Sequence, residues 1–103
     1  MRKARIFFDG RPAGILTEDN GHYVFEYGKD YKGPSISRTM PREETRFAFE
    51  EFPPFFDGLL PEGVNLEAFL RKTKIDRRDY LGQLLAAGQD LVGAVTAEPW
   101  REP

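Results

Sequence analysis

The chain has 103 residues, 40% hydrophobic and 31% charged, which suits one globular domain and leaves no room for a second. It has no cysteine, which excludes disulfides, thiol catalysis and thiolate zinc sites, and with no signal-peptide or membrane-spanning run it is expected to be cytoplasmic. A net charge of −2 and a pI near 5.4 disfavour general nucleic-acid binding.

The first half of the chain begins with the two-residue alternation of β-strands. Residues 4–8 and 14–17 are predicted strands joined by a hairpin turn at Asp9-Gly10, a pair that tolerates the positive φ of a type I′ turn. A second turn at residues 19–21 leads into His22–Tyr27, in which alternate aromatic residues share one face. The pattern predicts a three-stranded meander.

Two more strands are predicted before the pattern changes. Residues 28–34, with two glycines and a proline, are expected to form a loop, and residues 35–40 to form a fourth strand that ends at Pro41. Arg46–Phe49 is predicted as a short fifth strand.

The second half changes to the 3.6-residue period of helices. Residues 55–60 predict one short helical turn. Asn65 is expected to cap a longer helix, and Asp76 to cap another that ends at Gly88 as its left-handed C′ residue. Their apolar stripes are Leu66, Phe69 and Leu70 in the first of these helices, and Tyr80, Leu81, Leu84 and Leu85 in the second.

The end of the chain returns to a strand pattern. Residues 91–97 predict a last strand, and residues 98–103 a loosely held tail that includes Trp100, a candidate anchor for a partner. Strands followed by helices and a final strand indicate an α+β protein.

The residues that usually carry catalysis are too few for a known arrangement. His22 is the only histidine, and no motif supports a Ser/His/acid set built from it and a serine of residues 35–37. Residues 88–93 have the glycine spacing of a phosphate-binding loop, but Ala94 and Val95 stand where lysine and serine or threonine are required. The sequence predicts no catalytic residue, cofactor site or metal site.

Three other features could have a catalytic or a binding role. Asp57 and Glu62 could form an acid and base pair, although solvated carboxylates are far commoner. Residues 52–56 contain three phenylalanines, and either all three rings are buried or one is an exposed anchor. A basic cluster at the junction of the two longer helices could meet nucleic acid or an acidic partner surface, or form a solvated face. Its members are Arg71, Lys72, Lys74, Arg77 and Arg78.

Two segments resemble the N-terminal subdomain of HipA-type serine/threonine kinases. They are Phe52-Pro-Pro-Phe-Phe-Asp-Gly-Leu-Leu-Pro-Glu-Gly63 and Leu84-Leu-Ala-Ala-Gly-Gln-Asp-Leu-Val-Gly-Ala-Val95. Residues 6–16 are similar to the first hairpin of that family, and residues 35–41 to its fourth-strand region. The resemblance implies one domain over residues 1–97, a small curved antiparallel sheet or barrel-like meander of about five to six short strands flanked by two to three helices.

The kinase parts of that family are not found in this sequence. A free-standing copy of the subdomain resembles the HipS-type antitoxins of three-component toxin–antitoxin systems, in which the kinase HipT is a separate polypeptide and HipB is a helix-turn-helix DNA-binding protein. The resemblance implies a non-enzymatic antitoxin that binds and neutralises a HipT-like kinase in a complex with a HipB-like protein. No direct contact with nucleic acid or membrane is expected.

The turn of residues 60–65 is the predicted contact with the kinase, because it combines a rigid proline, an acid and an apolar valine. The predicted partner-binding residues are Phe55, Phe56, Leu60, Pro61, Glu62, Gly63, Val64 and Asn65. A non-inhibitory scaffold, or the excised subdomain of a longer HipA-like kinase, is the alternative function. An enzyme or a direct DNA binder is disfavoured by the failed motifs and the acidic charge.

Overall fold

A five-stranded antiparallel sheet and three helices form the part of the chain that the computed structural model describes, residues 1–91 and 93–101. The strands are β1 (Arg2–Phe8), β2 (Arg11–Asp19), β3 (His22–Tyr27), β4 (Arg46–Phe49) and β5 (Val95–Pro99), and the helices are α1 (Pro54–Asp57), α2 (Gly63–Thr73) and α3 (Tyr80–Ala87). The strand order is β4-β3-β2-β1-β5, so the first four strands follow one another across a curved sheet and the last returns beside the first. The predicted α+β fold is confirmed.

Left-handed backbone forms both tight turns of the meander. Asp9 and Gly10 have φ values of 50° and 78°, and Asn20 and Gly21 have φ values of 52° and 79°. Two consecutive residues with positive φ match the twist of the flanking strands, as in a type I′ turn. The predicted hairpin turns are therefore confirmed, and β2 is longer than expected from its sequence pattern.

The first hairpin has an irregularity beside a glycine that packs closely against β3. The pairing register shifts between Ile6 and Phe7, as at a β-bulge. Gly14, the partner of Ile6, is buried. A Cβ atom at this position would lie 2.8 Å from the Phe25 ring and would collide with the carbonyl oxygen of Glu26. Only glycine fits without a shift of these neighbours.

The core contains alternate residues of the sheet and the inner sides of α1 and α3. Because successive side chains of a strand point to opposite faces, one set from each central strand is fully enclosed. The helices contribute Phe56, Leu81 and Leu84, each 0% exposed. The main sheet residues of this core are Ala4, Ile6, Leu16, Tyr23, Phe25, Tyr27, Val95 and Ala97.

The fourth strand predicted at residues 35–40 is wrong. This segment forms only an isolated bridge, between Ser37 and Met40. Its backbone is bound instead by a side chain of β3, because the Tyr27 hydroxyl donates to the Met40 carbonyl at 2.5 Å and accepts from the Ile36 amide at 3.0 Å. A hydroxyl that satisfies two backbone groups replaces the ladder of a neighbouring strand.

Arg42 fixes the loop that precedes β4. Its guanidinium donates to the carbonyls of Tyr31, at 2.6 Å, and Gly33, at 3.3 Å. The same group lies 5.2 Å and 5.3 Å from the ring centroids of Tyr27 and Tyr31, which stack on each other. Hydrogen bonds and cation–π contacts therefore hold a long connection without regular structure.

The predicted helix caps are displaced. Glu62, which is extended, precedes α2, and the Asn65 amide already donates to the Glu62 carbonyl at 3.1 Å, so Asn65 lies inside the helix. Asp79 caps α3 in place of Asp76, because its carboxylate accepts from the amide three residues later at 3.0 Å. The Asp76 carboxylate accepts from the Arg78 amide, in the connection before the helix.

Gly88 ends α3, but with right-handed backbone, φ −39° and ψ −41°, in contrast to the left-handed C′ residue predicted. Glycine is required at position 88 for another reason. A Cβ atom there would collide with the carbonyl oxygen of Ala97, and the Ala97 amide donates to the Gly88 carbonyl at 3.0 Å. The helix end thus covers the outer edge of β5.

The last strand begins and ends later than predicted. β5 runs from Val95 to Pro99 and pairs antiparallel with β1. The Trp100 amide then donates to the Lys3 carbonyl at 3.0 Å, and the Lys3 ammonium lies 4.9 Å from the Trp100 ring centroid. Residues 98–100 are thus attached to the sheet. Residue 92 of the predicted strand and residues 102 and 103 of the predicted tail lie outside the described residues.

Candidate interaction site

The predicted partner-binding residues divide into a buried and an exposed group. Phe56 and Leu60 belong to the core, and the half-buried Phe55 ring packs edge-on against Phe56 at 5.2 Å. These three residues attach α1 to the sheet. The residues that follow reach solvent, from the half-buried Pro61 to the exposed Glu62, Gly63, Val64 and Asn65.

The beginning of α2 presents apolar surface to solvent. Val64 is 85% exposed, although it is a large aliphatic residue at the start of a helix. No residue of α2 is buried, and its apolar stripe, Leu66, Phe69 and Leu70, is only half-buried. Helix α2 therefore lies on the surface of the domain and contributes no buried residue to its core.

The phenylalanines of residues 52–56 all have ring contacts, and Phe56 is buried whereas Phe52 and Phe55 are half-buried. Phe52 contacts Tyr23 edge-on at 5.3 Å and stacks on Tyr80 at 5.6 Å. The exposed ring of this region is Tyr80, which is 39% exposed and which the helical pattern assigned to an apolar stripe.

A cavity of about 360 Å³ lies between the three helices. Its lining consists of Asp57 of α1, residues 60–63 of the predicted turn, Leu66 of α2, Arg77 of the α2–α3 connection, and Tyr80 and Gln83 of α3. The structure thus brings together the predicted turn and two residues of α3 that the sequence analysis did not select. The available signal was Gln83, a polar residue between Leu81 and Leu84 of an apolar stripe.

Gln83 is fixed in one orientation. It is 2% exposed, and its Nε2 group donates to the carbonyls of Asp76, at 3.2 Å, and Arg77, at 2.9 Å. Because two carbonyls require a donor, the nitrogen and the oxygen of the side-chain amide can be told apart. The connection between α2 and α3 is thereby attached to a residue that lines the cavity.

An ionic cluster holds the start of α3 against the sheet. The Arg2 guanidinium donates to both oxygens of Glu18, at 2.9 Å and 3.0 Å, and to both oxygens of Asp79, at 2.7 Å and 3.3 Å. These hydrogen bonds lower the pKa of Asp79 and raise that of Arg2. Tyr23 donates to Glu18 at 3.2 Å, and burial raises its pKa. The cluster positions Tyr80, the residue after Asp79.

The basic cluster at the α2–α3 junction is mostly free of ion pairs. Arg77 binds Glu67 at 2.5 Å, and the other four basic residues form no salt bridge within residues 1–91 and 93–101. The surface near the end of α2 is therefore positively charged, whereas the carboxylates of Asp57 and Glu62 lie near its start.

The structure gives no support to the Ser/His/acid set or to a metal site. Ser35 Oγ accepts from the Arg42 amide, and Ser37 Oγ shares a hydrogen bond with Thr39. Neither serine forms a hydrogen bond with His22 within the described residues. In the described part of the chain, no group of three or more His, Cys, Asp or Glu residues could hold a metal ion. None of the described helices is long and apolar enough to span a bilayer.

The chain belongs to the family of HipA N-terminal domains, whose model matches residues 4–98. The solved structure of an "N-terminal domain of HipA toxin" superposes with a TM-score of 0.79 at 27% identity, and the match covers 100% of this chain and 96% of that chain. The similarity is thus to the N-terminal subdomain of HipA and not to its kinase catalytic domain.

Relatives of two different lengths share this domain. A Haemophilus influenzae protein of unassigned function is 33% identical over 95 residues, and the match covers 92% of this chain and 90% of that protein. Two Sinorhizobium fredii proteins named "Putative kinase" are 28% and 35% identical, over 96% and 87% of this chain. The matched region is only 25% of each of those two proteins.

Proposed function

We propose that this protein is an antitoxin that binds and neutralises a separate HipT-like serine/threonine kinase, in a complex that also contains a HipB-like DNA-binding protein. The observation that carries the proposal is the match over the whole N-terminal domain of a HipA toxin. A chain that reproduces that domain can occupy its place on a kinase that lacks it. In the Haemophilus influenzae relative, the matched region is 90% of the protein.

The contact with the kinase is assigned to residues 60–65 and the start of α2. Exposed apolar surface is unfavourable in water, and Val64 with the half-exposed stripe of α2 is the apolar surface that the helices leave uncovered. Pro61 restricts the backbone before it, which lowers the entropy cost of binding. Glu62 adds a charge that can select the orientation of the partner.

Co-purification with a HipA-like kinase that lacks this domain tests the proposal. We expect a stable complex and suppression of kinase autophosphorylation. Binding without suppression would support a scaffold, and the absence of any complex would contradict the proposed function.

Substitution of Val64 tests the contact surface. Burial of a valine contributes about 1.5–3 kcal/mol, so Val64→Asp is expected to raise the Kd about tenfold to a hundredfold. Glu62→Ala is expected to weaken binding less, because rim charges contribute little. Ala86→Asp is the matched control, since Ala86 is an exposed alanine of α3 outside the cavity. Unchanged binding and neutralisation by Val64→Asp would remove residues 60–65 from the interface.

The second candidate is an N-terminal domain that serves a longer HipA-like kinase without acting as an inhibitor. The two Sinorhizobium fredii relatives favour it, because the matched region is a quarter of each. A kinase sequence that continues in the same reading frame would support this function, whereas a separate downstream kinase gene would support the antitoxin.

A further inference from the structure

We propose that the outer edge of β4 pairs with the same edge of a second copy of this chain. The two strands run antiparallel about a two-fold axis at Ala48, so the five-stranded sheets of the two copies join into one continuous sheet. The proposal goes beyond the proposed function and does not depend on a kinase. Two observations carry it, namely unpaired backbone groups along β4 and an order of side chains that is complementary to itself.

The two edges of the sheet differ in what covers them. At the β5 edge, the end of α3 lies against the strand, and the Ala97 amide donates to the Gly88 carbonyl. At the β4 edge, the described residues supply no hydrogen-bond partner to the outward backbone groups of Arg46 and Ala48. An edge of this kind is a template for another strand.

The pairing of β4 with β3 shows which backbone groups face outward. The Tyr27 amide donates to the Thr45 carbonyl at 2.9 Å, so these two residues form a hydrogen-bonded pair next to the strand. Such pairs alternate with non-hydrogen-bonded pairs along an antiparallel ladder. The odd-numbered residues of β4 therefore direct their amides and carbonyls to β3, whereas Arg46 and Ala48 direct theirs outward. Both of these residues are exposed.

The charged side chains select one register. With Ala48 opposite Ala48 of the second copy, Arg46 lies opposite Glu50, and the two-fold axis repeats this pair. Opposite charges in facing positions stabilise neighbouring strands, and like charges destabilise them. Arg46 and Glu50 are exposed and form no salt bridge in the described part of the chain. An axis at Phe47 instead places Glu44 opposite Glu50, and an axis at Arg46 places two arginines opposite each other.

The same register matches the apolar side of β4. Phe47 lies opposite Phe49 of the second copy, and both rings are half-buried and pack against the core. Because the outward pair at Ala48 is hydrogen-bonded, the phenylalanines occupy non-hydrogen-bonded positions, where facing side chains are closest. Facing aromatic residues are a favourable cross-strand pair. Pairing therefore covers apolar surface on one face of the sheet and joins opposite charges on the other.

Sedimentation of the full chain from about 10 µM to about 1 mM tests the proposal, because a short edge gives a small interface and a weak complex. We expect the mass to rise from monomer to dimer, and hydrogen exchange at the Arg46 and Ala48 amides to slow over the same range. The Phe47 and Phe49 amides face β3 and should be protected at every concentration. A monomeric mass throughout would overturn the proposal and leave a strand of a different protein as the occupant of the edge.

Substitution of Ala48 tests the backbone contact. Ala48→Pro removes the outward amide but no hydrogen bond with β3, and proline is tolerated on an edge strand. We expect it to weaken the dimer about tenfold or more, since both hydrogen bonds of the central pair are lost. Ala48→Val is the matched control, because it keeps the amide and suits a strand, so the dimer should persist. Equal dimerisation of the two variants would contradict the assignment of the interface to this edge.

Charge reversal tests the register without a change in the backbone. Arg46→Glu and Glu50→Arg each place like charges opposite each other in the dimer, so each should weaken self-association about fivefold or more. An equimolar mixture of the two variants restores both opposite-charge pairs and should dimerise as the wild type does. Because the mixture contains the same two substitutions, this recovery cannot come from the stability of the monomer. A mixture that dimerises no better than either variant alone would refute the proposal.

Discussion

Replacement of Asp79 by alanine should destabilise the domain by about 2 kcal/mol. The carboxylate caps α3 through an amide at 3.0 Å and pairs with Arg2 at 2.7 Å. Loss of an N-cap costs about 1 kcal/mol, and loss of a partly exposed ion pair costs about 0.2–1 kcal/mol. For a domain of this size, the expected decrease in Tm is about 8–16 °C.

Asp79→Asn separates the two contributions, because asparagine caps a helix as well as aspartate does but carries no charge. We expect this variant to lose only the ion pair with Arg2, at most about 1 kcal/mol. Arg2→Met should resemble it, with a further loss from the unpaired Glu18. Urea unfolding at fixed pH measures all three free energies.

The pH dependence has a definite sign. The pKa of Asp79 is lowered in the folded state, chiefly by its hydrogen bonds with Arg2, so the folded protein releases this proton more readily than the unfolded chain. The stabilisation is present above the unfolded pKa of 3.8 and is lost as the pH falls through the lower folded pKa. The difference between wild type and Asp79→Asn should therefore shrink from pH 7 to pH 3. An equal difference at both pH values, or equal stability of Asp79→Asn and Asp79→Ala, would refute the reasoning.

Three further substitutions test the packing. Phe56→Ala, at a fully buried site, should lower the free energy of unfolding by about 3–5 kcal/mol in urea titrations, and a loss below 1 kcal/mol would contradict its place in the core. Gly14→Ala should cost about 1–3 kcal/mol because of its close neighbours, whereas Gly28→Ala, with its nearest atom at 3.8 Å, should cost less in the same assay. Arg42→Lys should cost about 1–2 kcal/mol and speed hydrogen exchange in residues 28–42, since lysine cannot reproduce the paired carbonyl contacts; unchanged exchange would contradict this.

Local rules predicted the elements whose geometry is decided locally. The turns at residues 9–10 and 20–21 need only residues that accept positive φ, and both formed where predicted. The segment 35–40 has the composition of a strand, but its backbone is bound by the hydroxyl of Tyr27, which no local pattern reveals. The resemblance to HipA-type kinases implied the same strand, because residues 35–41 are similar to the fourth-strand region of that family.

The position of the α3 cap shows a similar limit. Asp76 and Asp79 are both acceptable N-caps by sequence. Arg2 selects the second, 77 residues away along the chain, by binding its carboxylate. The cavity was missed for the same reason, because Gln83 and Tyr80 become its walls only when three helices meet. The predicted turn at residues 60–65 is exposed from Glu62 to Asn65, whereas Leu60 is buried and Pro61 is half-buried, and its role in binding stays a prediction.

The pairing of β5 with β1 has a consequence for how the protein folds. These strands join residues 4–8 with residues 95–99, so this side of the sheet can form only after nearly the whole described chain has left the ribosome. Until then the edge of β1 is unpaired beside Ile6 and Ala4, and such an edge is a template for pairing with other chains. Nascent or truncated copies without β5 should therefore depend on chaperones or aggregate, even though every turn and strand of the meander is already encoded in the first fifty residues.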